Sequence, residues 1–239
     1  MSGRSKIVGV LGGMGPAATL DFFARVLALT PAATDQEHIR LIIDNNPQVP
    51  NRNDAIAGKG PSPAPVLGEM ARGLKLAGAE LLVMPCNAAH AFLADVASAA
   101  DLPVISIIDV TVADALTRIA RLQRVGLLAA DGCLNAGLYQ RAFGVRGVEV
   151  LVPDRDLRTR FMAALTRIKP GDTGEAVRES MRWIANTLIA NGAQAIVAGC
   201  TEVPLVLNDG DFGVPLINST DCLARATIAA ARPALHHTL

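Results

Sequence analysis

The sequence predicts an α/β protein built as two pseudo-symmetric, doubly wound parallel-sheet domains with a cleft between them. Three observations carry that prediction. An apolar run ending in a cysteine occurs twice, as Leu81-Leu82-Val83-Met84-Pro85-Cys86 and Ala195-Ile196-Val197-Ala198-Gly199-Cys200, and each cysteine lies eight residues after the glycine of a Gly-Ala-polar lead-in (Gly78, Gly192). Arg124-Val125-Gly126-Leu127-Leu128 matches Ile7-Val8-Gly9-Val10-Leu11 at an offset of 117 residues, against 114 between the cysteines. The near agreement indicates a duplicated βα unit rather than a chance pair. Finally, strand-length apolar runs alternate with helix-length segments, the pattern of a parallel sheet with covering helices.

Taken in order, Ile7–Leu11 reads as the first strand and ends in the turn Gly12-Gly13-Met14-Gly15-Pro16. Pro16 suits the first turn of a helix over Ala17–Leu29, where a missing N–H costs little. A second strand, Arg40–Asp44, runs into the polar, proline-punctuated loop Asn45–Arg52. After a loop over Lys59–Pro65 come a helix over Val66–Leu76 and the Cys86 strand. A helix from about Ala88 to Ala99 and a strand over Val104–Ile108 complete the first half. The second half opens near Asp109 with a helix over Val112–Leu122, followed by the strand Arg124–Ala129. Proline-led strands (Leu102-Pro103-Val104-Ile105 and Val214-Pro215-Leu216-Ile217) follow both cysteines, and a last helix, Leu223–Ala231, returns to cover the first half. The expected domains are 1–108 with 218–239, and 109–217. Facing one another, they would bring the carboxyl ends of their strands, where such sheets bind ligands, and hence both cysteines to one cleft.

Composition removes several classes of function. The 22 basic and 22 acidic residues are interspersed and sum to zero formal charge, which argues against a nucleic-acid-binding face. Aromatic residues at 3% are too few for a base-stacking platform. No apolar stretch approaches the roughly 20 residues needed to span a bilayer. The segment Met1–Lys6 leads straight into a strand-like run without a small-residue cleavage site, as expected of a cytoplasmic chain. Cys86, Cys133, Cys200 and Cys222 show no CxxC or Cys/His spacing for zinc, so reduced thiols and no metal are expected.

Two facing thiols allow a disulfide, a redox pair, or an acid and a base on opposite faces of one substrate. Redox pairs generally occur as CxxC, and a structural disulfide is disfavoured in a reducing compartment. The third option has a specific use: inverting a stereocentre requires one group to remove a proton and another, across the substrate, to return one. Both cysteines precede predicted helices, whose dipoles would favour thiolates. Against this stands the simpler possibility that both are small buried apolar residues.

Four ordered motifs carry a resemblance to a known family: Gly9-Val10-Leu11-Gly12-Gly13-Met14-Gly15-Pro16, Asn45-Asn46-Pro47-Gln48-Val49-Pro50-Asn51-Arg52, Met84-Pro85-Cys86-Asn87-Ala88-Ala89-His90 and Ala198-Gly199-Cys200-Thr201-Glu202. Together they resemble the aspartate/glutamate racemase superfamily, and its aspartate racemase branch most closely. The resemblance implies a cofactor-independent amino-acid racemase, two α/β domains with the site between them, and a homodimer. It implies Cys86 and Cys200 as the catalytic pair, with Arg52 and Lys169 holding the two carboxylates of an acidic substrate. Asn87 and Thr201 would bind its α-carboxylate and amino group, and Gly12, Gly13 and Met14 would shape the wall. Gln48, Ala88, Cys133 and Glu202 complete the expected substrate shell. A dianionic substrate needs cations at both ends, and an Arg fork matches a carboxylate well.

The chain also departs from the family pattern. Ala88, Ala130 and Cys133 stand where threonines are usual, and Asn218 where an aspartate is common. A maleate-type cis/trans isomerase using a cysteine nucleophile, a decarboxylase, or a binding protein without turnover remain alternatives. The turn Gly13-Met14-Gly15-Pro16-Ala17-Ala18 fits G-x-G-x-x-A formally, but Asp44 comes too late for a dinucleotide site. His90 reads as a satisfied helix histidine. Glu202 either tunes Cys200 or caps the following helix. Cys222, Tyr139 and Trp183 read as packing residues.

Overall fold

A computed structural model describes residues 4–232. The first half contains β1 (Val8–Gly12), α1 (Pro16–Leu29), β2 (Leu41–Asn45), α2 (Arg52–Ile56), α3 (Ala64–Leu76), β3 (Leu81–Val83), α4 (Leu93–Ala100) and β4 (Val104–Ile105). Next come α5 (Ile107–Arg118), β5 (Arg124–Leu128), α6 (Asp131–Asn135), α7 (Leu138–Gly144) and β6 (Glu149–Leu151). The chain continues through α8 (Arg155–Ile168), α9 (Glu175–Ala190), β7 (Ile196–Ala198), β8 (Leu216–Asn218) and α10 (Ser219–Ala231). All strand pairs are parallel and form two four-stranded sheets, β2-β1-β3-β4 and β6-β5-β7-β8, of identical order.

The duplication extends to the packing on the central strands. A Cβ on Gly9 of β1 would lie 2.7 Å from Leu82 and 3.1 Å from Leu74 of α3. Its counterpart Gly126 on β5 stands in the same relation to Ile196, at 2.7 Å, and to Leu188 of α9, at 2.9 Å. In both halves a bare backbone lets a helix seat directly on the sheet. The outer layers are separate clusters, Leu67, Leu74 and Leu82 in the first half and Leu165, Ile184 and Leu188 in the second. A third cluster runs continuously from Val8, Val10 and Phe22 through Val112 and Leu223 to Val125, Leu127 and Phe143. Helices α5 and α10 thus form the shared wall between the sheets. Leu223 of α10 is wholly buried there, which contributes roughly 1.5–3 kcal/mol.

Some elements differ from the sequence expectation. The expected strand Val104–Ile108 ends at Ile105, because Ser106 accepts the Asp109 N–H at 3.1 Å and caps α5. Ile107 and Ile108 therefore begin a buried helix; a short apolar run does not distinguish the end of a strand from the start of a helix. The expected helix from Ala88 begins as a 3₁₀ turn over Ala88–Phe92, and α4 follows. The last helix starts at Ser219, where Asn218 accepts the backbone N–H groups of Thr220 and Asp221. Trp183 is not a core residue: it is half exposed on α9, with the Arg160 guanidinium 4.5 Å from its ring centre. Among the described residues no helix is long and apolar enough to cross a membrane.

Candidate active site

Cys86 lies three residues beyond β3 and Cys200 two beyond β7, the equivalent central strands of the two sheets. Both line one cavity of about 30 Å³ between the halves. The first half contributes Met14, Arg52, Asn87 and Ala88 to its wall, and the second contributes Cys133, Lys169, Thr201 and Glu202. Asn53, Ala130, Leu165 and Gly199 also line it. Gln48 does not: it is exposed, and its N–H is turned onto the Asn46 side chain at 2.9 Å. The Asn46 side chain closes a local turn at Gln48.

On the first-half side, Arg52 opens α2 and is held before any ligand arrives. Its Nη1 donates to the carbonyls of Val49 at 3.1 Å and Pro50 at 3.0 Å, and its Nη2 reaches Met14 O at 3.5 Å. The loop after Cys86 is pinned by His90. Its Nδ1 lies 2.9 Å from Cys86 O, while its Nε2 accepts the Ile107 N–H at 3.0 Å. The backbone donor to Nε2 sets the neutral tautomer, with the proton on Nδ1 facing Cys86 O. Asn87 is also fixed, accepting from the Tyr139 hydroxyl at 2.7 Å and donating to Ser219 Oγ at 3.2 Å.

The second-half side carries an acid. Cys200 Sγ donates to Glu202 Oε2 at 2.9 Å, and Thr201 Oγ1 reaches the same oxygen at 3.4 Å. Burial, with the adjacent Glu202 carboxylate, pushes the Cys200 thiol well above its ordinary range. This reverses the expectation of a helix-stabilised thiolate. The helical segment after Cys200 is a single 3₁₀ turn, Val203–Leu205, with no macrodipole to offset desolvation. Two residues beyond Cys86 the corresponding position is Ala88, so the two thiols are not equivalent. Cys133 is fully buried on the wall, and burial pushes its thiol to about 12, so it stays neutral. Lys169 is exposed at the end of α8, before the left-handed Gly171.

The halves meet at the cavity mouth, where the Gly132 N–H of α6 donates to Asn53 Oδ1 of α2 at 2.8 Å. Small-molecule sites commonly enclose roughly 300–1,000 Å³, so the cavity must widen to admit a ligand. A larger cavity of about 440 Å³ lies against α10, and neither Cys86 nor Cys200 lines it. Two of its guanidinium groups are already paired, Arg25 with Asp221 at 2.6 Å and Arg118 with Asp209 at 2.9 Å. Among the described residues, no group of three or more His, Cys, Asp or Glu side chains is placed to hold a metal.

His90 gives a pH-dependent signature. Burial lowers its pKa from 6.5 to about 4. Between these values the unfolded chain binds a proton that the folded chain refuses, so stability rises with pH across that window. Above about pH 6.5 the imidazole is neutral in both states and the shift costs nothing; it costs about 2 kcal/mol of stability by pH 5 and about 3 kcal/mol below about pH 4. Urea unfolding at pH 7 and pH 5 should show this loss, and His90→Gln should flatten the dependence.

The model of the Asp/Glu/hydantoin racemase family matches residues 11–227. The chain is 23% identical over 229 residues to the broad specificity amino-acid racemase RacX of Bacillus subtilis, covering 93% of this chain and 97% of that protein. Its fold is similar to the Picrophilus torridus aspartate racemase, with a TM-score of 0.85, 28% identity and coverage of 95% and 94% of the two chains. An aspartate racemase homologue from Pyrococcus horikoshii is also similar, with a TM-score of 0.74, 25% identity and coverage of 95% and 99%. With a family match over nearly its whole length and two parallel sheets of the same architecture, the chain belongs to the Asp/Glu/hydantoin racemase family.

Proposed function

We propose that this chain is a cofactor-independent racemase of acidic amino acids, aspartate first and glutamate in addition, working by two-base proton transfer between Cys86 and Cys200. The observation that carries this reading is the pair of thiols on one cavity, reaching it from equivalent strands of opposite halves. A cysteine thiolate on one face takes the Cα proton, and the thiol on the other face delivers its own proton to the planar carbanion. Racemisation in the reverse direction exchanges their roles. When Cys200 is the base, Glu202 takes its proton across the 2.9 Å hydrogen bond; when Cys200 is the acid, the S–H leaves that bond to deliver its proton to Cα. Arg52 and Lys169 bind the carboxylates, and the backbone around Asn87 and Thr201 stabilises the developing negative charge. Met14, Ala88 and Cys133 form the remaining wall; the loss of hydroxyl groups at the last two makes the specificity less exacting toward the distal carboxylate.

The two halves, which share α5 and α10 as a common wall, part at the cavity to admit substrate and close over it. Closure is sensitive to Gly132. A Cβ there would lie 2.6 Å from Asn53 Oδ1 and 3.1 Å from Asn53 Cα, so α2 and Arg52 would be displaced. Gly132→Ala should raise KM by roughly 10-fold, the equivalent of about 1.4 kcal/mol of overpacking, with a smaller change in kcat. An unchanged KM in steady-state kinetics would contradict this mode of closure. On the resemblance alone we extend the proposal to a homodimer, which sedimentation of the purified chain checks.

The reaction class and substrate are tested together by incubating a panel of D- and L-amino acids, acidic and neutral, in heavy water. Deuterium should enter Cα of aspartate with inversion. Tight binding of aspartate without exchange at Cα would overturn the proposal.

A further inference from the structure

Tyr139 is wholly buried in α7 and plays no part in the chemistry described above, yet it touches both cysteine loops. Its hydroxyl donates to Asn87 Oδ1 at 2.7 Å, one residue past Cys86. Its ring lies against Gly199, one residue before Cys200: a Cβ on that glycine would be 3.0 Å from Tyr139 Cε2. One rigid side chain therefore spans the gap between the two loops. The arrangement is closed by Ser219 at the start of α10, whose Oγ receives the Asn87 Nδ2–H at 3.2 Å and donates to Ala198 O at 2.7 Å, at the end of β7. Asn87, Tyr139 and Ser219 are all buried, so water cannot substitute for any member.

Resting on the racemase reading, we propose that Tyr139 is a positioning residue for the reaction, a strut that sets the separation and aim of Cys86 and Cys200 across the cavity. The physical case rests on stiffness. A tyrosine has few rotatable bonds, and this one is further restrained by Phe143, whose ring is stacked at 6.3 Å. The ring contact fixes the approach of the Cys200 loop sterically, while the hydroxyl fixes the Cys86 loop by a directed bond. The Asn87 amide links the two, since its oxygen accepts from Tyr139 and its nitrogen donates to Ser219. Two-base inversion makes a demand that single-base exchange does not: both sulfur atoms must lie in line with the same Cα at once.

The experiment is Tyr139→Phe, which keeps the ring packing against Gly199 and removes only the bond to Asn87. Misplacement by about 1 Å can cost on the order of 10²-fold, so the inversion rate should fall by roughly 10- to 100-fold with KM little changed. Exchange of Cα–H with heavy water without inversion needs only one thiol and should fall less, so the ratio of exchange to inversion rises. Mere loss of folded protein would lower both rates together and leave the ratio at its wild-type value. A second measurement needs no turnover: cross-linking Cys86 to Cys200 with dibromobimane, in chains lacking Cys133 and Cys222 and with thermal midpoints compared. The cross-linked yield should fall several-fold in Tyr139→Phe. A wild-type ratio and a wild-type yield in the variant would overturn the strut. Failure of the wild-type protein to racemise any amino acid would instead overturn the racemase reading, with the cross-link still deciding the strut.

Discussion

Replacing Cys86 or Cys200 by alanine should each lower racemisation by about 10²- to 10⁴-fold, the range contributed by one positioned acid or base. The two variants should not fail identically. Each retains one thiol facing one side of Cα, so each should still exchange the Cα proton of one enantiomer, and the enantiomer should differ between the variants. The asymmetry should go further, because only Cys200 has a carboxylate to pass its proton to, at 2.9 Å. The surviving exchange in Cys86→Ala, which keeps the Cys200–Glu202 pair, should therefore require Glu202. Deuterium wash-in followed by NMR for both enantiomers measures all of this. Unchanged racemisation in either variant would contradict the two-base proposal.

Glu202→Gln carries the second large effect. Glutamine keeps the shape of Glu202 and cannot accept the thiol proton. We expect kcat to fall by about 10²-fold, the lower end of a lost general-base contribution. The reactivity of the thiol should move the other way. The carboxylate beside Cys200 adds to burial in holding its thiol well above the ordinary range, and glutamine removes that charge. Alkylation of Cys200 by iodoacetamide should begin at lower pH in the variant, even as turnover drops. A fall in both quantities would mean that Glu202 supports the loop and has no part in moving the proton.

The architecture is legible in the sequence because duplication shows as periodicity. Gly9 and Gly126 occupy matching positions on central strands, and both cysteines end the neighbouring ones. Less is legible wherever one interaction reaches across the fold. Tyr139 reads as a helix-packing residue because nothing local reveals that its hydroxyl meets Asn87, 52 residues earlier. Ser219 gives no sequence signal at all; its role depends on α10 starting beside the end of β7. The helix support expected for a thiolate at Cys200 is missing for a local reason. The residues after it form one 3₁₀ turn, and Glu202, two positions away, folds back onto the sulfur. Ile107 and Ile108 read as strand because apolar character alone does not locate the Ser106 cap. Gln48 shares a loop with Arg52, yet only Arg52 reaches the cavity, and nothing local in the sequence of that loop distinguishes the two.

The proposed mechanism depends on two thiols acting from opposite faces of one carbon. The most direct measurement starts from pure L-aspartate in heavy water and stops at low conversion, with the Cα isotope of product and residual substrate read separately by NMR. Two-base transfer predicts deuterium at Cα of the D-aspartate formed and protium at Cα of the L-aspartate that remains. Protium retained in the product, or deuterium in both pools in equal measure, would mean that a single base serves both faces.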